Sequence, residues 1–160
     1  MHWQDVCEHP SLQNLPFKIE LNEKGQILMS PVKVYHSAFQ GKISQLLPKY
    51  GIVLAECAVK TAKGTKVADI AWCSEERFKK IAGETECSIA PEICIEVLSY
   101  ANSSNEMKEK QVLYISAGAS EFWVCDENGN MDFFDASGPL KTSNLIPDFP
   151  HKVKIMAYLK

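Results

Sequence analysis

Apolar residues along the chain recur with two periods. Phe39, Ile43, Leu46, Leu47 and Tyr50 return at spacings of three and four, and His36 extends the stripe at its N-terminal end. That period predicts an amphipathic helix over 34–50, punctuated by Pro48 and Gly51. A second helix is predicted over 104–117, with Ser103 or Ser104 as N-cap and Gly118 as its stop. The remaining apolar runs are short and read as strands. Residues 17–21 and 26–30 flank Asn22-Glu23-Lys24-Gly25, which is good turn chemistry, so they predict a hairpin. Strands are also predicted over 52–60, 67–73, 91–98 and 121–126. The turn Glu127-Asn128-Gly129-Asn130 leads into another at 131–134. A last amphipathic strand is expected over 151–159, after a turn-rich stretch at 135–148. Residues 1–16 read as an irregular or short helical lead-in, and 74–86 as a charged surface helix or loop.

The core order is therefore helix, three strands, helix, strand. Strands mixed with intervening helices predict an α/β (α+β) sandwich with a central mixed sheet flanked by helices, preceded by a hairpin. No repeat, linker or low-complexity tract divides the 160 residues, so a single domain over 1–160 is expected.

Composition narrows the function classes. Hydrophobic residues make up 46% and charged residues 23%, as in a soluble globular protein, and the net charge is -3. No global basic field draws such a chain to nucleic acid, so a DNA contact has to come from a local patch. Lysines 60, 63 and 66 on a polar turn offer one, although such a turn also reads as a solvated tip. No apolar run approaches the length of a membrane span, and the first residues lack the pattern of a signal peptide, so a cytoplasmic protein is expected. Six cysteines without a CxxC pair read as small hydrophobes in a reducing compartment rather than as a zinc site.

Four charged residues interrupt apolar faces: Glu56 between Leu54 and Ala58, Asp69 between Val67 and Ala71, Glu96 between Cys94 and Leu98, and Lys110 on the second helix. An ionised carboxylate inside a buried strand is costly unless it is compensated. Each position has a plainer explanation. Asp69 could cap a strand end, Glu56 could face solvent, and Glu106 with Lys110 could form an ordinary i,i+4 ion pair. Taken together they converge: two acids in successive strands and a lysine on the next helix. Carboxylates at strand centres suit a hard divalent cation such as Mg²⁺, and a nearby lysine suits water activation for attack on a phosphodiester.

With these features the chain resembles the Uma-type endonucleases, a branch of the restriction-endonuclease-like PD-(D/E)xK superfamily. The resemblance is carried by the 17–30 hairpin, His36, VADIAW at 67–72, EICIEVLS at 92–99 and KEKQVLYISAGASEFWVCD at 108–126. It implies a restriction-endonuclease-like core of order α-β-β-β-α-β, which matches the periodicity. It implies a Mg²⁺ (or Mn²⁺) ion held by Asp69, Glu96 and the backbone carbonyl of Val97. It further implies a catalytic role for Lys110, with Lys108 the weaker candidate, and supporting roles for Glu56 and His36. Ser99, Tyr114, Glu121 and Trp123 match family positions with structural roles. The superfamily's lysine two residues after the acid is Leu98 here, and Ala68, Tyr100 and Glu106 replace a usual proline, proline and aspartate.

The resemblance thus implies a Mg-dependent endonuclease acting on DNA, working as a homodimer. Two alternatives stand beside it. One is an inactive nuclease fold that serves as a nucleic-acid-binding or protein-interaction module. The other is an unrelated α/β protein whose acids are edge-strand surface charges.

Overall fold

The computed structural model describes residues 1–99 and 102–156. After a short helix α1 (Trp3–Glu8) and a 3-10 turn at Pro10–Leu12, the chain forms the hairpin β1 (Phe17–Leu21) and β2 (Ile27–Pro31). The Asn22 carboxamide oxygen accepts from the Lys24 and Gln26 N–H groups, and Gly25 takes φ 72, so the turn closes as its composition predicts. The hairpin is a two-stranded sheet of its own, paired from Phe17↔Pro31 to Leu21↔Ile27.

Helix α2 (Val34–Leu46) is shorter than its apolar stripe predicts. Leu47 precedes Pro48 and turns extended, at φ -71 and ψ 147, because the proline ring disfavours the helical conformation of its predecessor. Leu47 stays in the core, whereas Tyr50 is exposed and meets Trp72 edge-on.

The main sheet has six strands: β3 (Ile52–Thr61), β4 (Gly64–Cys73), β5 (Ile93–Val97), β6 (Glu121–Cys125), β7 (Met131–Asp135) and β8 (Gly138–Leu140). They lie side by side in chain order. All neighbours are antiparallel except β5 and β6, which run parallel. A parallel pair needs a crossover, and α4 (Ser104–Ser116) supplies it, capped by the Ser103 hydroxyl, which accepts from the Glu106 N–H. Helix α3 (Glu75–Ile81) follows β4, with Ser74 as its cap.

Alternation along the strands feeds two cores. Ile70, Trp72, Ile93, Ile95 and Trp123 pack with Phe39 and Ile43 of α2 on one face. Ala71, Cys94, Phe122 and Val124 pack with Met107 and Tyr114 of α4 on the other. Asp69 and Glu96 share strand parity with Ala71 and Cys94, so both belong to the α4 face.

Three expectations are corrected. The turn after β3 is only Ala62-Lys63, since pairing runs on to Thr61↔Gly64; Lys60 and Lys66 therefore lie within strands, and Lys66 is buried. Lys63 sits at the tip and pairs with Glu109 at 3.4 Å. The short strand β8 lies in the stretch read as turns. No strand forms over 151–156, where one bridge, Asn130↔Lys152, is the remaining trace; the rest of that predicted strand, and Tyr100 and Ala101 of the predicted loop, lie outside the described residues.

Five of the six cysteines are buried and Cys7 is exposed. Burial pushes the Cys73 thiol up to about 11 and Cys125 up to about 12, so both stay neutral and behave as small apolar groups. Among the described residues no helix is long and apolar enough to cross a membrane.

The hairpin meets the main sheet at Gly64. This residue has φ 88, and a Cβ there would lie 2.4 Å from the carbonyl oxygens of Leu21 and Asn22. Gly64→Ala is therefore expected to cost about 1–3 kcal/mol from backbone strain alone, with more from the clash. Chemical denaturation of the variant and the parent checks this.

Candidate active site

The β4–β5 ladder brings the two predicted acids together. Its last pair is Ile70↔Ile95, and the same register carried one step further sets Asp69 opposite Glu96. There the strands part, and the Val97 N–H donates to Asp69 Oδ2 at 2.8 Å instead of to a backbone carbonyl. Asp69 and Glu96 are each only 2% exposed, which excludes the reading of both as surface charges.

Each carboxylate has one oxygen tied to fixed donors. Asp69 Oδ2 receives the Val97 N–H and lies 3.2 Å from His36 Nε2 on α2. Glu96 Oε2 accepts from the Tyr114 hydroxyl on α4 at 2.8 Å. The other two oxygens converge on one cation: Lys18 Nζ donates to Asp69 Oδ1 at 3.1 Å and to Glu96 Oε1 at 2.9 Å. A second ammonium, Lys110 Nζ, donates to both oxygens of Glu20 at 3.2 and 3.1 Å and lies 3.4 Å from Glu96 Oε1. Glu20 Oε2 also accepts the Val67 N–H at 2.7 Å, which fastens the hairpin to β4. Three buried carboxylates therefore face two ammonium groups, the buried Lys110 and the half-buried Lys18, around a cavity of about 20 Å³.

The electrostatics follow from burial and pairing. Burial alone would raise Asp69, but the Lys18 charge, the His36 contact and the Val97 N–H outweigh it and hold its carboxyl well below the usual range. Glu96 goes the other way: burial dominates, and Lys110 and Lys18 offset only part of it, so its carboxyl is raised. Burial pulls against the Lys18 charge, yet Glu96, Asp69 and Glu20 keep it above its ordinary value. Burial, with the neighbouring Glu96, keeps the Tyr114 phenol protonated and hence a donor.

The structure thus gathers Asp69, Glu96, Lys110 and His36, and Val97 borders the same cavity. It does not bring Glu56 there. Glu56 stands where the register would set it opposite Asp69, but it takes φ 50, drops out of the β3–β4 ladder, and is exposed over a separate depression beside Phe17 and Val67. A residue in the left-handed region breaks the alternation on which its predicted facing rested. Lys108 is exposed on α4 and does not border the cavity. Ser99 and Glu106 do border it, each bonded to Asn102. Glu121 is elsewhere: it accepts from Trp123 Nε1, the Ser143 hydroxyl and the Asn144 and Leu145 N–H groups, and so holds the 143–146 segment.

The sequence pattern singles out neither Lys18 nor Glu20 as a site residue. Their signal is an opposite-charge pair two positions apart in a five-residue strand, which puts both on one face.

This sheet, with two acids where adjacent strands diverge, is the restriction-endonuclease-like class of nuclease fold. A solved structure described as a "putative nuclease belonging to DUF820" from Anabaena variabilis ATCC 29413 superposes with a TM-score of 0.64 over 94% of this chain and 84% of that one, at 18% identity. Residues 3–137 match the Uma2 family, described as "Putative restriction endonuclease", and the chain belongs to that family. No curated protein matches it.

Because Asp69 titrates below its ordinary value, the stability it contributes is complete above about pH 4 and is lost as pH falls through the range beneath. Asp69→Asn is expected to flatten that part of the acid limb. Thermal melts between about pH 5 and 2.5 measure it; parallel curves for both proteins would contradict the assignment.

Proposed function

We propose that this protein is a nuclease that hydrolyses phosphodiester bonds of DNA with the help of Mg²⁺ or Mn²⁺. The observation that carries the proposal is the buried acid pair whose two inward oxygens, Asp69 Oδ1 and Glu96 Oε1, meet on a single positive charge. Family membership supports the same reaction class.

The donor set fits such an ion. Among the described residues no group of three or more His, Cys, Asp or Glu is placed to hold a metal ion, so Asp69 and Glu96 would be its side-chain ligands. Mg²⁺ binds through one or two carboxylates and retains several waters, so two suffice, with the Val97 carbonyl as a further hard donor. When bound, the ion would supply Lewis acidity toward a phosphate oxygen and acidify a water.

The chain's own groups prepare that chemistry. Asp69 and Glu96 hold the cation, and the Val97 N–H, His36 and Tyr114 fix which oxygen of each points inward. Lys110 carries a fixed positive charge into the cavity, where charge develops on a phosphate under attack, and orients the attacking water. Glu20 grips that ammonium through both oxygens and so acts as its positioning residue. Two copies of the site in a cytoplasmic homodimer would address the two strands of a duplex.

Separate alanine variants of Asp69, Glu96 and Lys110 are expected to lose plasmid cleavage by about 10²–10⁴-fold in Mg²⁺ or Mn²⁺, while Lys108→Ala retains it. Cleavage that survives all three changes overturns the proposal. A wild type that neither cuts nor binds divalent cations in calorimetry is a nuclease fold used as a binding module.

A further inference from the structure

We propose that Lys18 is a displaceable internal counter-ion, seated between Asp69 and Glu96 in place of the divalent cation and expelled when that cation binds. The inference rests on the reading of these two acids as the cation's ligands, and it adds a competitor for their site.

Among the described residues, Lys18 Nζ bonds to the inward oxygens of the pair alone, at 3.1 and 2.9 Å. Those are the oxygens that the Val97 N–H, His36 and the Tyr114 hydroxyl leave free, so ammonium and metal ion require the same two atoms. Lys110 differs: it is held by both oxygens of Glu20 and lies at the longer distance of 3.4 Å from Glu96. It can remain when the acid pair changes its occupant.

Space leads to the same conclusion. The cavity of about 20 Å³ admits roughly one water. A magnesium ion seated on the two inward oxygens would need the position that the Lys18 ammonium fills. Lys18 also borders an open depression of about 350 Å³ that carries the exposed carboxylate of Glu56. A rotation of the lysine stem toward that depression frees the seat and gives the ammonium a solvated, acid-bearing place to go. The proton stays on the amine throughout, and the exchange is one cation for another.

Two experiments on the whole protein decide the matter. The first is Mn²⁺ titration calorimetry of wild type and Lys18→Met. If Lys18 fills the seat at least nine-tenths of the time, its removal tightens apparent affinity about tenfold or more. Without metal, Lys18→Met is expected to melt below wild type, because two acids face each other uncompensated, and Mn²⁺ is expected to raise its Tm more than that of wild type. Equal or weaker Mn²⁺ affinity in Lys18→Met overturns the inference while leaving the cation site in place. Absence of Mn²⁺ binding to both proteins overturns the inference together with the reading beneath it.

The second experiment needs no variant. Acetylation of wild-type amines, read residue by residue by mass spectrometry, is expected to spare Lys18 without metal and to label it when Mn²⁺ is present. Labelling that Mn²⁺ leaves unchanged, in a protein that calorimetry shows to bind the ion, overturns the inference.

Discussion

Everything at the centre of this molecule depends on the cost of placing two carboxylates in a dry sheet. Asp69 and Glu96 lie side by side where their strands separate, and a like-charge pair in such surroundings is untenable without compensation. The compensation comes from five directions: a backbone N–H, an imidazole, a phenol and two ammonium groups. These come from β5, α2, α4 and β1, so the whole architecture closes around one electrostatic demand. Removing a single member leaves a buried charge exposed to its neighbour, a more severe defect than the loss of one contact.

The same demand explains why the hairpin is there. The six-stranded sheet and its helices form two apolar cores without it. What β1 adds is charge: Lys18 for the acid pair, and Glu20 to fix Lys110 and the Val67 N–H. Gly64 lets the hairpin backbone come close enough to deliver them. The site is therefore shared between a framework that presents acids and a small docked sheet that balances them.

Much of this could be read along the chain. Helices with a 3.6-residue stripe, the first hairpin turn and a mixed sheet with intervening helices follow from local pattern, and Asp69 and Glu96 stand out because an acid in an apolar run has few explanations. Lys18 was hidden because its meaning lies in partners 51 and 78 positions away, while locally it is an ordinary lysine on a short alternating strand. Glu56 misled for the opposite reason. Its strand alternates weakly, a single positive φ accompanies its outward facing, and no pattern of residue types foretells that conformation at a non-glycine position. The end of α2 shows a local rule overriding periodicity, since Pro48 stops a stripe that continues to Tyr50.

The spacing of Lys18 and Glu20 in β1 carries a further consequence. A strand that slipped by one residue against its surroundings would present Phe17, Ile19 and Leu21 to the acid pair and turn both charges away. Backbone hydrogen bonding in a five-residue hairpin barely distinguishes these two arrangements, whereas the acids distinguish them sharply. The charged cluster thus serves as an alignment key for the hairpin: the charges that make the site costly also tell a short strand which face to turn inward.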